Sequence, residues 1–264
     1  MSKSYTRILQ QRFTIFPKIE YTKEILEDQQ DGQQHAYVLR IGKGADVRIA
    51  NVMNPGGFKP LEPSISARIC KRAGERLLGV VNADFFHMSS GAPQGATVMD
   101  GRLLKEEMRD NTHFFGIRHD GSYIIGDKET FGKSHAALAM AVCGRDILVD
   151  GENIPAPVLE LVPDRHPRTA VGICGNGDLL LVVVDGRNPG VSEGMHLERF
   201  GLYLQSLGAQ KALNLDGGGS SVMSVCMPGC QEAEIVNIPS DGAERPCANA
   251  IAIYAAQDSA YVTR

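Results

Sequence analysis

The residues best suited to chemistry lie in one ten-residue stretch, Leu213 to Val222, which reads LNLDGGGSSV. Asn214 and Asp216 alternate with leucines, which is the period of a strand with one buried face. Three glycines follow Asp216, and their backbone N–H groups can approach an anion without obstruction by side chains. A glycine-rich hairpin turn without a ligand is the alternative interpretation.

This stretch combines a carboxylate with hydrogen-bond donors. Asp216 is a candidate general acid, general base or nucleophile. Hydroxyl groups after the glycines add donors, and Asn214 shares the strand face of Asp216. The candidates for binding substrate or phosphate are therefore Asn214, Gly217, Gly218, Gly219, Ser220 and Ser221.

A second stretch repeats the same hydrophobic-Asn-hydrophobic-Asp pattern, with Asn82 and Asp84 in the polar positions. Each copy follows a predicted helix that ends at a glycine. If the two strands lay side by side, they would place two carboxylates and two carboxamides in one cleft, and paired carboxylates are typical of glycoside hydrolysis. Chance similarity is the alternative, with each Asp capping only its own turn.

Three arginines supply candidate positive charges for the same site. Arg168 opens a buried strand, Arg187 follows an Asp-Gly turn, and Arg245 precedes the last strand. Guanidinium groups combined with glycine N–H groups are suited to binding phosphate. Taken singly, each arginine has a surface or structural role as its alternative. Walker A, Gly-x-Gly-x-x-Gly and Gly-x-Ser-x-Gly motifs are absent, so nucleotide and acyl-transfer sites are unsupported.

Composition narrows the class of partner. The chain has 264 residues, is 43% hydrophobic and carries a net charge of −4, so it can bury a large core, and nucleic acid is disfavoured as the main partner. Tryptophan is absent and aromatic residues make up 6%. A small or charged substrate therefore fits better than a long polymer. No cofactor is predicted, and exposed sheet edges would allow a homodimer.

The N-terminus lacks an apolar run of signal-peptide length and no segment is long enough to span a membrane, so we expect a cytoplasmic protein. Six cysteines do not change this expectation. Cys226 and Cys230 could form a disulfide or half of a zinc site, but nothing nearby completes a ligand set, so idle thiols are favoured.

Hydrophobic patterns place these residues on predicted elements. Residues 1–50 read as strands, and Ser64 is predicted to cap a helix over Ile65–Leu78. Arg168 to Val184 reads as a buried hairpin, and Ser192 is predicted to cap the helix that ends at Gly208. Asp-Gly turns recur along the chain and favour antiparallel pairing. We therefore predict an α+β fold with a mixed, largely antiparallel sheet, a few packed helices and two pseudo-repeated halves.

Four segments, taken in order, resemble the motifs of the phosphodiester glycosidase family: VNADFF (81–86), RTAVG (168–172), the long segment 182–223 and ERP (244–246). The resemblance covers roughly residues 75 to 255. It implies hydrolysis of a sugar, N-acetylglucosamine-like, from a phosphodiester, with release of free sugar and a phosphomonoester. It also implies a phosphodiester glycosidase-like domain over residues 61–264, to which the N-terminal strands and loop of residues 1–60 also belong.

The resemblance carries site roles to matching positions. It implies site or site-shaping roles for Asn82, Asp84, Arg168, Asp185, Gly186, Ser192, Gly194, Asp216, Gly217, Gly218, Gly219, Ser220 and Arg245. We expect Asp216 to act on the sugar or on water, with Asp84 as the second carboxylate. Asn82, the third catalytic candidate, is expected to orient sugar hydroxyls or water together with Asn214. The family's first motif usually reads Asn-Gly-Gly-Phe-Phe, so Asp84 stands where the family has glycine and inherits no catalytic role.

Two other functions stay open at this stage. A metal-dependent phosphodiesterase could use Asp84 and Asp216 as oxygen ligands for a divalent cation and cleave the P–O bond. A non-enzymatic module could bind a sugar-phosphate or polysaccharide without turnover. The sequence favours the enzyme, because a pure binding site has no need of acids beside an anion site.

Overall fold

The computed structural model describes residues 5–28, 32–155 and 165–256. Within this part of the chain, every strand pairing is antiparallel. In chain order the strands are β1 (Thr6–Phe16), β2 (Ile19–Asp28), β3 (Gly32–Ile41), β4 (Arg48–Val52), β5 (Glu75–Asn82), β6 (Thr97–Met99), β7 (Arg102–Lys105), β8 (His113–Arg118), β9 (Tyr123–Gly126), β10 (Leu138–Gly144), β11 (Ile147–Asp150), β12 (Arg168–Cys174), β13 (Leu179–Val184), β14 (Ala209–Asn214), β15 (Met223–Val225), β16 (Glu234–Ile235) and β17 (Ala250–Ala256).

The largest sheet has seven strands in the order β1-β2-β3-β13-β12-β14-β11. Its centre is buried on both faces, which explains why β13 reads LLLVVV without alternation. Alternate residues of β13 enter two different cores, one shared with the other sheets and one on the opposite face. Helix α3 (Leu197–Ser206) covers that opposite face with Leu197, Phe200 and Leu204.

Two five-stranded sheets pack against the shared core. One has the order β7-β6-β10-β8-β9, and the other has the order β16-β15-β5-β17-β4. Helix α1 (Pro63–Ile69) contributes Ala67 to the core over β5 and β17, and helix α2 (Lys128–Ser134) contributes Phe131 to the core over β8 and β10. The two candidate motifs consequently end strands of different sheets, β5 and β14.

The expected largely antiparallel arrangement with few helices is confirmed. The predicted α+β class with a mixed sheet is corrected to a mainly β fold, because strands of three antiparallel sheets build most of the core of the described residues. The predicted hairpin is present, with Arg168 opposite Val184 across β12 and β13. The pseudo-repeat stays a prediction. Among the described residues, no helix combines the length and hydropathy needed to cross a membrane. The sequence also predicts a proline-rich loop over residues 155–167, which lies largely outside the described residues.

Two helix predictions are wrong at their boundaries. The predicted helix Ile65–Leu78 ends at Ile69, and Leu78 lies fully buried in β5, because its side chain fills the shared core. The N-cap of this helix is Glu62, not Ser64. The hydroxyl group of Ser64 instead donates to Glu244 Oε2 at 2.5 Å. Ser192 does not cap α3, which begins after His196.

Candidate functional site

The ends of β5 and β14 meet although the strands belong to different sheets. The backbone N–H of Asp216 donates to the carbonyl oxygen of Ala83 at 2.8 Å. Asn82 Nδ2 donates to the backbone oxygen of Asp216 at 2.6 Å. The two sequence motifs are therefore brought together by hydrogen bonds just beyond the strands, not by strand pairing.

Asn82 is buried and acts as a brace between three segments. Its Oδ1 accepts from Thr169 Oγ1 at 2.9 Å and from the backbone N–H of Val222 at 3.1 Å. With the bond to Asp216, all of the amide's contacts hold the glycine-rich loop in place. The geometry gives Asn82 a positioning role instead of the expected contact with sugar or water.

Asp216 presents a partly exposed carboxylate at the junction. Ser220 and the backbone N–H of Gly217 donate to it. Partial burial raises the pKa of Asp216 to about 6, while the bond from Ser220, the charge of Arg245, the Gly217 N–H and the charge of Arg145 act in the opposite direction. At neutral pH the group is mostly ionised, yet it lies close enough to neutrality to exchange a proton.

The glycine-rich loop uses most of its backbone donors internally. The N–H of Gly218 donates to Pro167 O at 2.9 Å, and those of Ser220 and Ser221 donate to loop carbonyls at 3.2 Å. These groups were expected to be ligand-binding donors. Instead, the N–H groups of Ser220 and Ser221 close a single 3₁₀ turn over Gly218–Ser220, and that of Gly218 joins the loop to Pro167. Few loop N–H groups are therefore left for a ligand, and the side chains around the loop are the better candidates for contact with an anion.

The glycines bring the loop backbone against two guanidinium groups. Gly218 has φ +62°, and a Cβ there would lie 3.0 Å from Arg187 Nη2. A Cβ on Gly219 would collide with the guanidinium of Arg245 and the carboxylate of Asp241. Arg187 itself has φ +58°, a conformation that non-glycine residues rarely adopt and that clusters at functional sites.

The three predicted arginines surround this loop but differ in environment. Arg168 is buried, donates from Nε to Met195 O at 2.8 Å, and has a pKa lowered to about 10, chiefly by burial. Arg187 is exposed and lies 3.4 Å from His166 Nδ1. Arg245 pairs with Asp241 at 2.6 Å, and its Nη1 lies 3.5 Å from Ser220 Oγ. The loop, Asp216 and these three guanidinium groups make up the candidate cleft, in which Arg187 and Arg245 are the more exposed arginines.

Two predicted binding residues point away from the cleft. Ser221 is buried, and its hydroxyl accepts from Thr169 Oγ1 at 3.2 Å. Asn214 is also buried; its Nδ2 donates to Asp146 Oδ2 at 3.3 Å. Asp146 in turn favours the charged form of Arg168. These contacts hold the loop in place from the protein interior, and the Asp146 charge stabilises the Arg168 guanidinium.

Asp185 and Ser192 hold the neighbouring loop. Asp185 Oδ2 accepts from Tyr37 at 2.8 Å and Oδ1 accepts from Asn237 at 2.9 Å, while burial raises the pKa of the carboxyl. Ser192 Oγ donates to Asp185 O at 2.8 Å. Because Asn237 also donates to Ser221 O at 3.2 Å, this network fixes the glycine-rich loop from a second side.

Asp84 lies in the interior instead of the cleft. Its Oδ1 accepts from the Cys143 N–H at 2.8 Å and from Asn249 Nδ2 at 3.0 Å. Burial raises its pKa to about 8, and the charge of Asp216 acts in the same direction. The expected pair of cleft carboxylates is thus reduced to Asp216, because Asp84 is 1% exposed.

Another wall of the site was missed by sequence reasoning. Arg145, between β10 and β11, stacks its guanidinium carbon 4.5 Å from the ring centroid of Phe85 and donates to Gln94 Oε1 at 2.8 Å. Its charge favours ionised Asp216. In the sequence, the only signal for Arg145 is the glycine that precedes it. The structure explains Gly144, because a Cβ at that position would collide with Asn214 O.

The segments that form this site lie within the part of the chain that matches known proteins. The sequence profile of the phosphodiester glycosidase family matches residues 75–254, which include the cleft from Phe85 to Arg245. This chain belongs to the phosphodiester glycosidase family. The zebrafish N-acetylglucosamine-1-phosphodiester alpha-N-acetylglucosaminidase catalytic domain, auto-inhibited by its pro-peptide, has the same fold, with a TM-score of 0.71, 19% identity, and coverage of 95% of this chain and 88% of that one.

Two further proteins match with smaller coverage of their own length. The mouse N-acetylglucosamine-1-phosphodiester alpha-N-acetylglucosaminidase is 28% identical over 196 residues, which cover 66% of this chain and 37% of the relative. The chain therefore spans little more than a third of the length of that curated relative. A hypothetical protein from Synechocystis also shares the fold, with a TM-score of 0.68, 15% identity, and coverage of 94% of this chain and 64% of that one.

Metal ligation was one of the open alternatives within this phosphodiester glycosidase fold. Among the described residues, no three His, Cys, Asp or Glu side chains are grouped so that they could hold a metal ion. Cys226 and Cys230 are free thiols. Asp84 and Asp216 do not share a set of outward-facing oxygens, because the Asp84 carboxyl is buried: its Oδ1 accepts two hydrogen bonds and its Oδ2 is enclosed without a partner.

Proposed function

We propose that this protein is a glycosidase that hydrolyses a sugar linked through a phosphodiester, releasing the free sugar and a phosphomonoester. Membership of the phosphodiester glycosidase family supports the reaction class. The observation that carries the proposal is the position of the partly exposed Asp216 carboxylate beside the Arg245–Ser220 contact, with Arg187 against Gly218 of the same loop.

The chemistry follows from the leaving group. A phosphomonoester leaves far more readily than a sugar alcohol, so the site must chiefly stabilise the departing anion and a cationic sugar. Arg187 and Arg245 would neutralise the phosphate, with Arg168 behind them. One preorganised donor of this kind is typically worth about 3 kcal/mol in the transition state.

Asp216 would act at the anomeric carbon. As the glycosidic C–O bond breaks, the phosphomonoester takes the electron pair, and the carboxylate stabilises positive charge on the sugar ring. Water then bonds to the anomeric carbon, and its proton passes to Asp216 or to solvent. Asn82 and Ser220 would hold Asp216 and its loop in position during these steps.

The curated relatives are named for N-acetylglucosamine linked through a phosphodiester, so this sugar is the first to test. The purified protein is incubated with N-acetylglucosamine α-linked through a phosphodiester and, in parallel, with the matching p-nitrophenyl glycoside. Half of the reactions contain a chelator. Sugar release from the phosphodiester alone, unaffected by chelator, supports the proposal.

Other outcomes point to the alternatives. Release of sugar 1-phosphate and the free alcohol, with no free sugar, lost in chelator and restored by a divalent cation, would replace the proposal with a metal-dependent phosphodiesterase. Binding without any turnover would replace it with a sugar-phosphate-binding module. The products identify which bond of the substrate is cut, or show that none is cut, and so distinguish the three functions.

We also propose that the protein forms a homodimer through β1. This strand is the edge of the seven-stranded sheet, and Ile8, Leu9 and Phe13 are 54%, 39% and 36% exposed. Antiparallel pairing of two copies centred on Gln11 would place Leu9 opposite Phe13 of the second copy, which would cover apolar surface and pair the open edge. Light scattering should give a dimer for the native chain and a monomer for Leu9→Lys, and a native monomer would contradict it.

A further inference from the structure

The wall beside Asp216 formed by Phe85, Gln94 and Arg145 has a different chemical character from the rest of the cleft. Phe85 is partly exposed, whereas its neighbours Asp84 and Phe86 are 1% and 9% exposed. An aromatic ring kept partly in solvent between two buried residues is available to a ligand.

The position of this ring is fixed by its surroundings. The carbonyl oxygen of Phe85 accepts from the Gln94 N–H at 2.7 Å. The Arg145 guanidinium stacks on the ring at 4.5 Å and is itself held by Gln94 Oε1 at 2.8 Å. A rigid ring loses little freedom on binding, so such a wall is preorganised.

The same wall is tied to β14, the strand that ends two residues before Asp216. The backbone N–H of Arg145 donates to Asn214 O at 3.0 Å, and His113 Nδ1 contacts Arg145 O at 2.7 Å. The charge of Arg145 is felt at the Asp216 carboxylate. A ligand group resting on Phe85 would therefore lie next to the carboxylate proposed to act on the anomeric carbon.

Phosphate and sugar make different demands on a site. Phosphate is best bound by several donors, and Arg187 and Arg245 lie against neighbouring glycines of the loop, Gly218 and Gly219. A pyranose offers an apolar face of C–H groups together with hydroxyls, which suit an aromatic ring flanked by a carboxamide and a guanidinium. Phe85, Gln94 and Arg145 match the second demand.

We infer that the sugar ring of the substrate binds against Phe85, Gln94 and Arg145, and that its phosphate lies at Arg187 and Arg245 beside the glycine-rich loop. This inference rests on the proposed function for the identity of the substrate, and it specifies the orientation of that substrate in the cleft. The scissile bond then lies over Asp216, with the sugar toward Phe85 and the phosphate toward Arg187 and Arg245.

Binding measurements test this orientation independently of turnover. Dissociation constants for N-acetylglucosamine and for inorganic phosphate are measured by calorimetry on the native protein, Phe85→Leu and Arg187→Gln. Phe85→Leu should weaken sugar binding by about fivefold or more and leave phosphate binding unchanged. Arg187→Gln should do the reverse. Phe13→Leu is the matched control, because Phe13 is a partly exposed ring on β1 that stacks on Tyr21, and it should change neither constant.

The outcomes separate this inference from the proposed function. Equal sugar binding in Phe85→Leu and the native protein, no sugar binding by the native protein, or equal loss of both ligands would overturn the orientation. Sugar and phosphate binding with the expected pattern but no hydrolysis would leave the subsite standing and remove the glycosidase activity. Saturation transfer from aromatic protons to the sugar, lost in Phe85→Leu, is a second readout.

Discussion

Asn82 Nδ2 and the backbone oxygen of Asp216 are 2.6 Å apart, although the two residues are separated by 134 positions in the chain. This bond joins the ends of strands from two different sheets. It places the first motif beneath the second, so that Asn82 determines where Asp216 sits. The same amide holds Thr169 and Val222, which makes it the common support of the glycine-rich loop.

Asn82→Ala should therefore destabilise the protein and lower its activity together. Removing a buried amide that makes three hydrogen bonds leaves donors unpaired, and we expect a loss of about 2 to 4 kcal/mol in the free energy of unfolding. Denaturant titration measures this loss. Asn176→Ala, in an exposed turn, is the control and should have little effect on activity. An unchanged denaturation midpoint for Asn82→Ala would show that the brace is dispensable.

Asp216→Asn should abolish turnover while preserving the fold. The carboxamide has nearly the same shape but can neither stabilise a cationic sugar nor accept a proton, so kcat should fall by about 100- to 10,000-fold. Sugar release and circular dichroism are measured on the same preparation. Asp120→Asn, at an exposed turn, provides the matched control. Near-native kcat in Asp216→Asn would remove this residue from the chemistry.

The pH profile should report the ionisation of Asp216. Its pKa is raised to about 6 and the ionised form is the active one, so kcat/KM should fall as pH drops through about 6. Arg145→Gln removes a positive charge that favours the carboxylate, and it should shift this acidic limb to higher pH. Arg102→Gln, exposed on β7, should not shift it. An acidic limb that stays in place in Arg145→Gln would contradict the electrostatic link.

Asp84 should make stability depend on pH in a defined window. Its pKa is raised from 3.8 to about 8 in the folded protein, so the unfolded chain releases this proton at lower pH than the folded chain does. Stability should therefore decrease as pH rises from about 4 to about 8, through this group. Asp84→Asn cannot titrate, so its Tm should decline less than that of the native protein over this window. Parallel Tm curves would show that Asp84 is not held neutral.

Gly219→Ala should disturb the cleft because the added methyl group would collide with the Arg245–Asp241 pair. We expect loss of activity with little change in the free energy of unfolding, because the Arg245 and Asp241 side chains are partly exposed and can move away from the methyl group. Gly132→Ala, in α2 with nothing within 4 Å of the new methyl group, is the matched control and should be neutral or stabilising. Full activity in Gly219→Ala would mean that Arg245 need not occupy its observed position.

Local patterns were sufficient for several elements of the fold. The β12–β13 hairpin follows from two apolar runs around Gly175-Asn176-Gly177, and α3 follows from its apolar spacing up to Gly208. The prediction of α1 ran too far, because an apolar Leu78 satisfies a helix period as well as a strand. Only the core available to it on β5 decides which one forms.

The sequence by itself determined the family, the antiparallel class and the position of Asp216 between the end of a strand and the glycines, since these depend on neighbouring residues. Only the tertiary structure decided that Asp84 is buried, that Asn82 supports instead of contacting substrate, and that Arg145 lies beside Asp216. The period of a strand states which residues share a face. It does not state which sheet packs on that face, and the exposure and charge of a carboxyl group depend on that packing.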